Sequence, residues 1–367
     1  VVKKKIAFAA NSDLNFDQRL NRICASLSMA GFEVFILGRS FSNSIPLTTK
    51  SYQQARISLS FQKGKMAYIE LNLRLFLYLV RKKMNALCSI DLDTLPACWL
   101  VSKLKNIPLV HDAHEYMEEV PEVYNRPVTK FFWRKIAKAF LPDVNLAYTV
   151  SHSLQEEFKF KYGKNFHLVR NISKTIQLHE NHDFNRETGY WVFLGAVNQG
   201  RGLEEFLDVL PSTNRKLIVL GDGDKLKELK SKVEQMQMTH LVEFKGKVKP
   251  EEAAKILQKA WAGINLLRAE GLSYQYSLAN KFFDYVHAGI PQICIRFPEY
   301  QKMMAEFEVG VLCDLQFDSI LAATQLVSFP EKQAHFRNQA LAARQIWNWE
   351  KESENLIRLW KQLLPET

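Results

Sequence analysis

The sequence predicts an α/β protein built from two open, doubly wound parallel sheets in series, and three observations predict it. First, 367 residues exceed what one compact core usually holds. Second, short apolar runs alternate with loops and helix-period segments along the whole chain, the pattern of a parallel sheet wound with helices. Third, the alternation lapses once, in the polar and aperiodic stretch KTIQLHENHDFNRETG after Ser173, and then restarts.

Taken in order, IAFAA is followed by the loop Asn11–Asp17, a helical stretch through Ala30, and then FEVFILG and ISLSF. ALCSI leads to a loop from Asp91 to Thr94, PLVHD to His114 and Glu115, and NLAYTV to a helix over Ser151–Tyr162. Beyond the polar lapse come YWVFLG, KLIVLGDGD, HLVEFKG, AGINLL, QICIRF and VGVLCD. The expected division is residues 1–174, residues 175–345, and a C-terminal segment, residues 346–367. In that last segment Trp347–Leu364 has helical periodicity, with Trp347, Leu356 and Trp360 available for burial, and is expected to pack against the first domain. Two such sheets place ligands in the cleft they face, at the carboxyl ends of the strands.

Composition narrows the class. Hydrophobic residues at 47% and charged residues at 24% suit a globular protein. The longest apolar runs, such as Leu75–Val80, fall far short of the ~20 residues a membrane span needs. Lys3–Lys5 before IAFAA imitates a signal peptide, but that apolar stretch is too brief. Cys24, Cys88, Cys98, Cys294 and Cys313 are scattered and odd in number, so they read as reduced thiols of a cytoplasmic protein. Residues 1–174 carry 26 Lys+Arg against 14 Asp+Glu, a net +12, and the remainder carries −2. A basic half implies an anionic partner. No nucleic-acid-binding signature accompanies the charge, which leaves an acidic substrate or the anionic inner face of a membrane.

Two constellations in the second half suit a phosphate-bearing ligand. Gly195–Gly202 (GAVNQGRG) lies between the YWVFL strand and a helix. Its glycines allow backbone N–H groups to approach a phosphate, the helix dipole favours an anion, and Arg201 adds a charge. An ordinary tight turn is the plain alternative. The second is RAEGLSYQYSLANKFFDYVHAGIP, where a helix starting near Leu278 carries Asn280, Lys281 and Asp284. Lys281 and Asp284, three apart, share a face, suited to a diphosphate and to ribose hydroxyls, or to nothing more than a surface ion pair.

In this order, Gly195–Gly202, the element around Gly246–Val248 and NKFFDYVHAGIP resemble the C-terminal half of retaining GT-B glycosyltransferases of family four, the group 1 type. The resemblance implies two Rossmann-like domains, with Gly195, Gly200, Arg201 and Gly202 at the donor diphosphate. Phe244, Gly246 and Val248 match the element that meets the nucleotide base. Asp284, five residues before Gly289, matches the acidic residue that meets the ribose. Tyr276 stands where that family's motif has its first carboxylate, and a subgroup with an NK-F-(E/D)-Y signature uses the position of Lys281 for phosphate.

His114, just past the PLV strand, stands where a cleft residue belongs. The resemblance places it near the transferred sugar, with Glu115 as its neighbour and His111 as a structural residue. A capping role for His114 is the plain alternative. Glu118, Glu119 and Glu122 read as a solvated loop. Asp91-Leu92-Asp93 and Asp222-Gly223-Asp224 look like metal-binding pairs, but the second follows a strand and Asp224 is a natural N-cap. No metal and no cofactor are expected. Arg126, Lys130, Arg134 and Lys138 form a basic stripe beside Val128, Phe131 and Phe132, a membrane-surface pattern or a solvated core helix. The helical stretch Leu71–Lys83 ends in a similar basic cluster.

The resemblance thus implies a retaining hexosyltransferase, and the reduced cysteines and basic first half add the expectation of a cytoplasmic protein peripheral to the membrane. It would move sugar from a nucleotide-diphosphate donor such as a UDP-sugar to a glycan or lipid-linked acceptor in cell-surface glycan synthesis. An epimerase of the same fold and a non-catalytic GT-B subunit are the alternatives.

Overall fold

The computed structural model describes residues 3–175 and 189–365. It divides into two compact units, residues 1–170 with 352–367, and residues 171–351. The boundaries therefore fall at 170/171 and 351/352, where the sequence suggested 174/175 and 345/346. Most of the polar stretch expected to link the domains lies outside the described residues.

The first unit runs β1 (Lys5–Ala9), α1 (Gln18–Met29), β2 (Glu33–Ser40), β3 (Gln53–Ser58), α2 (Gly64–Leu79) and β4 (Ala86–Ile90). It continues with α3 (Asp91–Lys105), β5 (Leu109–Ala113), α4 (Pro127–Phe140), β6 (Leu146–Thr149), α5 (His152–Tyr162) and β7 (His167–Leu168). All strand pairs are parallel, in the order β3-β2-β1-β4-β5-β6-β7. The order reverses between β1 and β4, so the loops at their carboxyl ends diverge and open a crevice there. Asp17 caps α1 and Ser151 caps α5, each side chain accepting a backbone N–H three residues on.

The second unit runs β8 (Trp191–Leu194), α6 (Leu203–Val209), β9 (Leu217–Leu220), α7 (Leu226–Gln235), β10 (Val242–Gly246), α8 (Pro250–Lys259) and β11 (Ala262–Asn265). Then come α9 (Leu272–Gln275), α10 (Asn280–His287), β12 (Gln292–Ile295), α11 (Pro298–Glu306), β13 (Gly310–Cys313), α12 (Phe317–Ser328) and α13 (Pro330–Ala343). Its parallel sheet has the order β10-β9-β8-β11-β12-β13, reversing between β8 and β11. Together the two sheets give the α/β, two-Rossmann-unit GT-B fold.

The chain ends in α14 (Trp349–Leu363), shorter than the expected Trp347–Leu364. Its later residues belong to the first unit. There Trp360 is buried 5.5 Å from Phe8, ring centre to ring centre, and Glu352 accepts the Arg170 guanidinium at 2.9 and 3.0 Å. Trp347 stays in the second unit, packed on Phe282, Phe283 and Phe307.

Four local expectations change. Asp91–Thr94 is no loop, because α3 starts directly at Asp91. Asp224 does not cap α7; that position falls to Lys225, whose side chain makes no capping bond. The helix expected from Leu71 to Lys83 ends at Leu79, and Arg81 donates to the Leu77 carbonyl at 3.0 Å. Glu118 and Glu119 are not solvated. Glu118 is buried against Arg134 (3.0 Å), Lys161 (2.9 Å) and the Tyr162 hydroxyl, and Glu119 pairs with Lys130. Two of the four cations of the expected α4 stripe are thus spent inside the unit.

The position of α10 depends on one fit. Tyr285 lies in the slot over Gly263 of β11, where an added Cβ would meet its ring at 2.4 Å. Its hydroxyl lies 3.2 Å from the Val192 and Ile264 carbonyls and accepts the Leu194 N–H at 3.0 Å. Gly263→Ala should therefore cost ~1–3 kcal/mol as overpacking. The check is the denaturant midpoint, and an unchanged midpoint would mean that α10 is not held by this slot.

Candidate functional site

In the second unit the strand ends on either side of the reversal form one polar cluster. The loop Gly195–Gly202 follows β8, and the turn after β9 presses on it. An added Cβ at Gly221, whose φ is +153°, would lie 1.8 Å from the Gly195 carbonyl oxygen. Only glycine permits that approach. At the other end of the loop Gly202, at φ +71°, leaves no room for a side chain beside Leu266, just past β11. The Arg268 N–H donates to the Gly200 carbonyl at 2.8 Å, which joins the loop after β8 to the one after β11.

Lys281 is drawn into this cluster. It is the second residue of α10, is 6% exposed, and directs Nζ over the Phe193 ring at 3.8 Å. Among the described residues its ammonium has no hydrogen-bond partner. Burial, and next the nearby charge of Arg201, hold its pKa well below the usual lysine range. Arg201 lies over the Tyr274 ring at 4.9 Å, and its Nε is also buried and unpartnered among the described residues. The Asn265 Oδ1 at the end of β11 is in the same state. Two like charges without a counter-charge are costly to bury. An anion placed among them would offset that cost.

The other expected donor-site residues are placed less uniformly. Asp284 does not share the direction of Lys281; it accepts from the Ser173 hydroxyl at 2.8 Å, and Ser173 lies 3.3 Å from His287 Nδ1. Asn280 is exposed at the first position of α10. Val248 is half-buried beyond β10, two strands from β8, where the Gly246 carbonyl accepts from Gly221 N–H at 2.8 Å. The dipole of α6 differs from expectation. That helix has seven residues, and its first turn is occupied by Glu204 and Glu205, which pair with Arg268 at 2.7 and 2.6 Å.

In the first unit a chain of alternating charges ends at the strand tips beside its own reversal. The Arg19 guanidinium grips Asp112 at 2.9 and 3.3 Å with both side chains buried. Asp112 lies 2.9 Å from His114 Nε2, and His114 Nδ1 is 3.9 Å from Asp91. Burial pushes Asp112 up, but Arg19 and then His114 outweigh it and hold the carboxyl at about 2. Burial likewise opposes the charge on His114, but Asp112 and Asp91 raise it to about 9. His114 is therefore an imidazolium near neutrality, a donor and a charge but not a base. Burial raises Asp91 to about 7, against the pull of His114.

Asp91 adopts φ +56° and accepts the His114 and Glu115 N–H groups at 2.8 and 3.2 Å, so it fixes the start of the expected site segment. Asp93 accepts from Asn11, across the reversal, at 2.8 Å. Glu115 is exposed. His111 sits within β5, its Nδ1 2.8 Å from the Ser89 hydroxyl, and burial lowers it to about 4. Sequence reasoning had not assigned roles to Arg19, Asp112, Asn265 or Ser173, because their partners lie tens of residues away. The Asp222 side chain accepts from Gly223 N–H at 2.8 Å. Among the described residues no group of three or more His, Cys, Asp and Glu is arranged to hold a metal.

The charge on His114 has a thermodynamic signature. Its folded pKa of about 9 exceeds the ordinary 6.5, so its contribution to stability is full below 6.5 and is lost as pH rises through 9. Asp91 is half titrated near 7 and nearly complete one unit above, which leaves the window from 8 to 9 to His114. Wild type should lose on the order of 1 kcal/mol across that window and His114→Gln much less, as read from denaturant melts. Parallel pH profiles for the two proteins would show that His114 is neutral.

The comparisons with known proteins fall on both units. Residues 188–327, most of the second unit, match the family described as Glycosyl transferases group 1. No curated protein sequence matches the chain. Among solved structures, sucrose-phosphate synthase from Thermosynechococcus elongatus superposes with a TM-score of 0.82 at 14% identity, covering 98% of this chain and 99% of that one. HepE of Anabaena, solved in complex with UDP, gives 0.74 at 12% identity over 98% and 99%. WaaG, a glycosyltransferase involved in lipopolysaccharide biosynthesis, gives 0.73 at 13% over 98% and 100%. The cluster around Lys281 and Arg201 thus lies in the stretch that matches the group 1 glycosyl transferase model, within a fold that 98% of the chain shares with sucrose-phosphate synthase and WaaG.

Proposed function

We infer that the protein transfers a hexose from a nucleotide-diphosphate donor, with UDP as its nucleotide, to a glycan or lipid-linked acceptor in cell-surface glycan synthesis. The observation that carries this reading is the buried Lys281 ammonium beside Arg201, with no acceptor for either Nζ or Nε among the described residues. A diphosphate supplies the missing acceptors and the missing negative charge. As the glycosidic bond breaks, negative charge grows on the leaving diphosphate, so both contacts strengthen toward the transition state. Structural neighbours support the donor class, since HepE was solved with UDP and glucose and with UDP-glucose, and WaaB is a galactosyltransferase.

Retention of anomeric configuration is part of this reading and rests on the family resemblance. His114 contributes a fixed imidazolium on the sugar side, and Asp284 serves the ribose once Ser173 yields its hydrogen bond.

The test begins with a panel of nucleotide sugars, following donor hydrolysis and nucleotide release. Interconversion of the sugar without net nucleotide release would instead identify an epimerase, and no turnover with any donor would identify a non-catalytic subunit. Arg201→Ala and Lys281→Ala should each lower turnover by about 10²–10³, as expected for losing one preorganised donor. The double variant should lose less than the product of the two. His114→Ala should lower turnover roughly ten- to a hundredfold with UDP affinity unchanged. Undiminished UDP binding in the Arg201/Lys281 double variant would overturn the assignment.

A further inference from the structure

Helix α2 is apolar on both sides. Ala67, Leu71, Leu75 and Leu79 face inward and are at most 4% exposed. On the opposite side Met66, Ile69, Leu73 and Leu77, at spacings of three and four, are 42–61% exposed. A helix on the surface of a globular protein normally turns a polar stripe outward, so this bare ridge calls for a cover. The ridge does not stand alone. Phe61 before α2 and Phe131 and Phe132 on α4 are each about half exposed. Lys65 lies over the Phe132 ring at 5.5 Å, and Tyr68 meets Trp133 edge-on at 5.2 Å, which ties the two helices together.

The charges around the ridge have one sign. Lys63 and Lys65 at the start of α2, and Arg81, Lys82 and Lys83 beyond its end, are exposed. On α4 the exposed cations are Arg126, Lys135 and Lys138, after Lys130 and Arg134 have turned to Glu119 and Glu118. Glu70, the one acidic residue from Lys63 to Lys83, is held by Arg74 and by the Ser60 and Phe61 N–H groups. The core of a protein–protein interface is depleted of lysine. An apolar ridge flanked at both ends by lysines instead fits a surface that is apolar inside and uniformly negative outside.

We propose that α2 docks the first unit on an anionic lipid bilayer, with the Met66–Ile69–Leu73–Leu77 ridge entering the acyl boundary and the flanking lysines meeting lipid phosphates. The docking element is therefore α2 with the aromatic edge of α4, and not the four-residue basic stripe of α4. Among the described residues no helix is long and apolar enough to cross a membrane, so the attachment is from one face. The inference stands apart from the donor chemistry.

The test is flotation of the full chain with phosphatidylcholine vesicles and with vesicles containing about 30% phosphatidylglycerol, near the charge of an anionic leaflet. The protein should float with the anionic vesicles and be released by salt. Ile69→Glu/Leu73→Glu should abolish flotation. Lys63→Gln/Lys65→Gln/Lys83→Gln should lower partitioning on the order of a hundredfold. Melting temperature should hold in both variants, because the substituted side chains are exposed. Equal binding to both vesicles, absence of binding, or wild-type flotation of Ile69→Glu/Leu73→Glu would overturn the proposal. So would a concentration-dependent mass lost in that variant without vesicle binding, which would mark a self-association surface. UDP calorimetry on the same proteins reads the donor site alone, so failure of either reading shows in its own measurement.

Discussion

The seating of Tyr285 over Gly263 is the constraint on which the second unit's chemistry depends. With its hydroxyl tied to the backbone of Val192, Leu194 and Ile264, α10 has one height and one rotation on the sheet. Four residues earlier, one turn back, Lys281 then points into the interior over Phe193. A lysine could ordinarily reach water along its flexible stem. Here the stem is enclosed, and Arg201 on the glycine loop brings a second positive charge near it. The packing of one tyrosine thereby maintains an electrostatic frustration that the fold alone does not relieve, of the sort proteins keep at functional sites.

The first unit treats charge in the opposite way. Arg19, Asp112, His114 and Asp91 alternate in sign, so each buried group is compensated by the next. Such a chain contributes little net stability relative to an apolar core, but it fixes protonation states. His114 is held as a cation because Asp112, itself pinned by Arg19, cannot turn away. Asp91 is the member that titrates near neutrality, at a positive φ where a non-glycine residue carries strain. The second unit therefore holds a buried lysine with no hydrogen-bond partner among the described residues, and the first holds a compensated imidazolium.

The polar network behind α4 shows how burial redirects a surface pattern. Glu118 and Glu119 pair with Arg134 and Lys130, and Phe131 and Phe132 stay outside. The helix with the clear basic stripe is thereby internally neutralised in part. Meanwhile α2, whose apolar residues lie on two opposite faces, is left with an uncovered ridge. Periodicity shows that a helix has a polar or apolar face, but not whether its neighbours have already used that face.

How far the sequence determined this protein follows the range of each interaction. Strand and helix alternation, the Ser151 cap, the glycine loop Gly195–Gly202 between β8 and α6, and the placement of Lys281 in the first turn of α10 all depend on residues within a turn or a loop of one another. They are legible because period, capping and turn chemistry are local. The group 1 resemblance was legible for the same reason, since its motifs are contiguous. The rest was settled only when distant segments met. Arg19 and Asp112 stand 93 positions apart, Glu118 and Lys161 are 43 apart, and Asp284 finds Ser173 across 111. Asp91 begins a helix where composition suggested a loop, and Trp347 and Trp360 divide between the two units although both lie in one C-terminal segment. Burial and charge pairing are properties of the folded neighbourhood, and no window of sequence contains that neighbourhood.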